Sequence, residues 1–139
     1  MRPDTGTVSL GTSAKPWNDI HSNGDITISG SIIGASVKTE SAASAVSISP
    51  NVDNINMTIV TALAGTLTIN NPSGTAKEGQ CLIIRIKDNG TTKTLNWGTA
   101  YEGIVVNPVT SATVAGKWMY WMCMYNTSSI KWDVIAETI

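Results

Sequence analysis

The sequence predicts an all-β chain in two unlike parts. An extended N-terminal arm or shaft segment covers residues 1–45, and a small antiparallel β-sandwich or barrel head covers residues 46–139. Three observations predict it. Short β-branched and aromatic runs recur between turn residues, no helical period competes with them, and the large side chains crowd into the second part. Apart from Trp17, all of the five Trp and three Tyr lie at or after Trp97, and there is no Phe.

The arm is Ser, Thr, Gly and Ala with short apolar islands, "DITISG" and "SIIGASV". These are too thin to bury much apolar area within one chain, so the segment either borrows a core from other chains or stays extended. Three copies wound about a shared axis would pool Val8, Leu10, Trp17, Ile20, Ile26, Ile28, Ile32 and Ile33 into one core. Pro16 stiffens the approach to Trp17, and Asn23-Gly24 offers a turn into "DITIS". The alternative is a disordered leader on a monomer.

In the head, strands are expected near Val46–Ser49, Asn56–Leu63, Thr66–Asn70, Gln80–Lys87, Thr92–Trp97, Ile104–Val106, Lys117–Tyr125 and Ile130–Ala136. Leu82, Ile84 and Ile86 alternate with Ile83, Arg85 and Lys87, and Asn89-Gly90 predicts a tight hairpin to the next strand. A second hairpin is expected at Asn126 to Ser129, and the polar loop Asn71 to Gly79 should cross the surface.

One strand breaks the half-buried rule. In "KWMYWMCMYN", Trp118, Tyr120, Met122 and Met124 share one face, while Met119, Trp121, Cys123 and Tyr125 share the other. Both faces are apolar, so one is expected in the core and the other against a neighbouring subunit. The alternative is a central strand whose second face is covered by the Asn71–Gly79 crossing. Trp118, Tyr120, Trp121, Met122 and Met124 are therefore candidates for the core or a subunit interface.

Composition narrows the function. A net charge of -1 with 14% charged residues provides no basic stripe to meet phosphates, so nucleic acid is not an expected partner. Arg2, Pro3 and Asp4 have no apolar run behind them, and no window approaches the length of a membrane span; neither a secretory leader nor membrane insertion is expected. Cys81 and Cys123 lie in apolar strand-like runs with no ligand at metal spacing, which suggests two buried thiols. The single histidine, His21, stands near Asp19 and Asp25 without a nucleophile or further ligands, and reads as a surface or interface residue. The carboxylates Glu40, Asp53, Glu78, Glu102, Asp133 and Glu137 are scattered singly, and "GTAKEGQ" lacks the ending of a phosphate loop. No catalytic residue, metal or cofactor is expected. Trp97 and Tyr101, in "NWGTAYEG", are candidates for a receptor or glycan contact if their rings are open to solvent; the alternative is core packing at a strand end.

The run "LGTSAKPWNDIHSNGDITISG" resembles a repeat of bacteriophage fibre and other virion proteins. The later run from "TIVTALAGTLTINNPSG" through "GKWMYWMCMYNTSSIKWDVIA" is similar to a domain near the C-termini of phage structural proteins. Together they span nearly the whole chain. The resemblance implies a non-enzymatic virion component, commonly a homotrimer, made in the host cytoplasm and carried on the tail, baseplate or capsid. Leu10, Trp17, Ile20, Ile26 and Ile28 would then serve virion docking or interchain packing. The head would project outward, either as a short structural fibre, as a tip for a host-surface glycan or protein, or as a capsid head fibre or decoration protein.

Overall fold

The computed structural model describes residues 37–104 and 109–138. These residues belong to one compact unit, Ser36–Ile139, and are all-β, with no helix among them. The strands are β1 (Thr39–Ala42), β2 (Ser47–Ile48), β3 (Met57–Leu63), β4 (Leu67–Ile69), β5 (Cys81–Asp88), β6 (Leu95–Trp97), β7 (Tyr101–Gly103), β8 (Trp118–Asn126) and β9 (Lys131–Thr138). They form a six-stranded sheet in the order β1-β3-β5-β8-β9-β7 and a three-stranded sheet in the order β2-β4-β6.

The pairing corrects the expectation of an antiparallel head. Successive strands from β1 to β6 alternate between the sheets, so each return to a sheet adds a parallel neighbour. Thr39, Met57 and Ile83 stack in one register, as do Ile48 and Ile69 beside Trp97. Among the named strands, β5–β8 and β8–β9 are the antiparallel pairs. The first six strands therefore wind as a short coil of stacked turns, and the β8–β9 hairpin closes one side of it.

The Asn89-Gly90 turn shows why. Gly90 takes a left-handed φ of +98°, the conformation its lack of Cβ permits. Asn89 does not share it, and its N–H donates to the Leu63 carbonyl at 3.1 Å, outside any hairpin ladder. The chain leaves β5 in the large sheet and enters β6 in the small one, so the expected hairpin is a corner between sheets. A register shift in β3 between Val60 and Leu63 precedes the comparable corner into β4, as expected where bulges or bends let a chain change sheets.

Two boundaries also move. β1 lies inside the segment expected to be arm, paired with β3. Three of its four residues, in "TESA", are polar because it is an edge strand with little to bury. A strand runs over Tyr101–Gly103, just before the one expected at Ile104–Val106; Ile104 follows it, and Val105 and Val106 lie outside the described residues.

The core lies where the two sheets face each other. Val60, Ile84 and Trp121 from the large sheet meet Leu67, Ile69 and Leu95 from the small one in a single buried cluster. The period-two alternation of β5 places Leu82, Ile84 and Ile86 inside and leaves Ile83, Arg85 and Lys87 half-buried on the outer face. Burying six such side chains contributes on the order of 10 kcal/mol against chain entropy.

Candidate functional site

β8 is the sequence-predicted site that the fold makes most distinctive. Its residues alternate as expected: Met119, Trp121 and Cys123 are fully buried, while Trp118 and Tyr120 are half-buried and Met122 and Met124 remain 41% and 38% exposed. Trp121 is thus core, and the other four candidates form the outer face. Cross-strand register extends that face beyond β8. Met57, Ile83, Met122 and Ala136 form one row, and Ile59, Arg85, Tyr120 and Thr138 form the next.

A cation sits in this apolar surface. The Arg85 guanidinium lies 3.9 Å from the centre of the Trp118 ring and 5.3 Å from that of Tyr120, and Lys87 approaches the same Trp118 ring at 5.8 Å. The negative faces of the rings hold these charges in place. The shielded Arg85 Nε meets no hydrogen-bond partner among the described residues.

Trp97 and Tyr101 are brought together, but their geometry differs from an open stacking platform. Tyr101 is only 8% exposed and Trp97 is half-buried. The rings meet edge-to-face at 5.1 Å, and Trp97 meets Trp121 in the same way at 5.3 Å. Trp97 Nε1 donates to the Thr110 carbonyl at 2.9 Å, and the Tyr101 hydroxyl donates to the Asn70 carbonyl at 3.3 Å. Burial, with the neighbouring Cys123 thiol, raises the Tyr101 pKa. These polar tips tie strand ends together, with Tyr101 in the core and Trp97 partly buried against it.

The cysteines divide. Cys123 is buried as expected, and burial followed by the nearby Cys81 pushes its thiol up to about 12, far from thiolate reactivity. Cys81 is exposed at the start of β5, because its position in the alternation belongs to the outer face. Among the described residues no group of three or more His, Cys, Asp or Glu side chains could hold a metal ion, and no helix is long and apolar enough to cross a membrane.

A polar cleft of about 410 Å³ is lined by Asp53, Thr75, Lys77, Glu78 and Gln80. Several of its polar atoms are committed to local structure. Asp53 Oδ1 accepts from Thr75 N–H, Gln80 bridges Lys77 N–H and the Val52 carbonyl, and Glu78 Oε2 accepts from both the N–H and the hydroxyl of Thr127. The Thr127 hydroxyl and then its N–H lower the Glu78 pKa, so the carboxylate is an anchor and not a proton donor near neutrality. Arm candidates Leu10, Trp17, Ile20, Ile26 and Ile28, and His21, lie outside the described residues.

Arg85 is the functional candidate that the sequence reading missed. Its register opposite Tyr120 could have been inferred only from the β5–β8 pairing, which the Asn89-Gly90 turn disguised. No family model matches the chain, and no match was found among the curated proteins or the solved structures compared with it.

Proposed function

We propose that the chain is a non-enzymatic structural protein of a bacteriophage virion, a short homotrimeric fibre whose N-terminal segment docks on another virion protein and whose β-rich head projects from the particle. The observation that carries the assembly part of this reading is the outer face of the large sheet, where Met122 and Met124 stand exposed two residues apart on β8. Such a surface favours protein assembly over turnover of a small substrate. The arm's resemblance to fibre repeats supports the docking role. The inward packing of Trp97 and Tyr101 weighs against a glycan platform at that place, and no other observation favours a receptor tip.

Purified particles supply the test. The full chain is expected in them at a fixed copy number, whereas a chain lacking residues 1–35 is expected to be made but not incorporated. Particles complete in every respect without the full chain would end the virion reading, and incorporation of the shortened chain would end the docking role of the arm.

A further inference from the structure

We infer that the outer face of the large sheet is covered by the same face of a second copy of this chain, related by a two-fold axis near Met122. The part of the face that overlaps itself about Met122 spans β3, β5, β8, β9 and β7. With strands about 4.8 Å apart and about 3.4 Å per residue, its footprint is on the order of 500 Å² per copy. A pair would then cover about 1,000 Å², the lower bound of a specific interface. Patches of that size also occur on monomers, so area alone does not choose the occupant.

The arrangement of charge does. Arg85 and Lys87 lie on β5 toward one end of the face, held against Trp118. Asp133 on β9 pairs in register with Met124 and with Glu102 on β7, which places both carboxylate residues toward the opposite corner of the same face; Lys131, two residues along β9, has its Nζ drawn to the Thr99 carbonyl and leaves that corner net negative. Midway between the basic and acidic corners runs β8, and the residue there is the exposed Met122. A two-fold axis lying in the plane of contact beside Met122 sets the basic corner of each copy on the acidic corner of the other. Such a contact is self-complementary and closes at two copies. It is therefore separate from the three-fold order of the proposed fibre, in which it would join two trimers.

Sedimentation of the full chain over a range of concentration and salt tests it. Even-numbered assemblies are expected, weakening as salt screens the corners. A chain with Arg85→Glu and Lys87→Glu, and one with Glu102→Lys and Asp133→Lys, should each pair at least about tenfold more weakly. An equimolar mixture of the two should recover pairing. Met122→Lys places like charges at the axis and should abolish pairing, with near-ultraviolet circular dichroism unchanged because that side chain is exposed. A folded Met122→Lys chain that pairs like the parent overturns the inference, as does a mixture of the charge-reversed chains that recovers nothing. A trimer indifferent to all these substitutions would overturn it while leaving the fibre reading intact.

Discussion

At the scale of single residues, Asp88 and Trp121 show how a small all-β unit holds itself together. Asp88 ends β5 with its side chain 2% exposed. Burial pushes its pKa up, but the Thr113 hydroxyl at 2.6 Å, the Gly116 and Gly90 N–H groups at 2.7 and 2.9 Å and the charge of Lys93 together outweigh it, and the carboxyl titrates below its usual 3.8. A folded pKa below the unfolded one means stabilisation that is complete above about pH 4 and is lost as pH falls through the folded value. Asp88→Asn keeps an acceptor for the glycines but gives up the charged bond to Thr113. It should cost about 1–3 kcal/mol at pH 7 in urea unfolding, and the gap to the parent should narrow when the titration is repeated near pH 3. Trp121 is fully buried and in contact with Trp97. Trp121→Ala should cost about 3–5 kcal/mol by the same measurement, and a cost below about 1 kcal/mol would place the ring outside the core.

At the scale of elements, the corners between sheets matter as much as the strands. Gly98 follows β6, and its N–H donates to the Ile69 carbonyl at 2.7 Å. A Cβ at this position would overlap Asn71 Oδ1 and stand 2.7 Å from the Asn71 backbone nitrogen. That Asn71 side chain accepts from Ala100 N–H, fastening the β6–β7 turn to the loop after β4. Gly98→Ala should therefore separate the two corners and lower stability by about 1–3 kcal/mol, seen as a lower thermal midpoint with a looser near-ultraviolet spectrum. Strand positions were legible in the sequence because β-branched runs such as Leu82–Ile86 carry their own period. Partners were not, because Asn89-Gly90 marks a reversal of the chain without saying which sheet receives it. The two apolar faces of β8 were legible for the same reason as the strands. Which face is core depended on the small sheet packing over Trp121, and the inward turn of Trp97 and Tyr101 depended on it too. β1 escaped notice because an edge strand needs few apolar residues, and "TESA" has only one.

At the scale of the whole molecule, the coil of stacked turns makes its first turn a structural requirement. β1 covers the edge of β3, Glu40 Oε1 accepts from the buried Thr58 hydroxyl at 2.7 Å, and the Ala43 carbonyl accepts from Ala62 N–H. In a stack of this kind each turn is stabilised by its neighbours, and an exposed inner turn is both weaker and a template for unwanted pairing. Two truncations separate the consequences. A chain beginning at Ser36 keeps β1 and should unfold cooperatively with a thermal midpoint within a few degrees of the same unit in the full chain. A chain beginning at Ala45 loses β1, leaves the Thr58 hydroxyl without its carboxylate and bares the β3 edge. It should lose about 2–4 kcal/mol by the loss of one buried hydrogen bond and a strand ladder, and should aggregate at concentrations where the longer chain stays dispersed. Equal stability of the two would mean that β1 is decoration and that the head begins after it; the measurement is a pair of urea titrations followed by Trp fluorescence, which Trp121 and Trp132 report from inside the core and Trp97 from its edge.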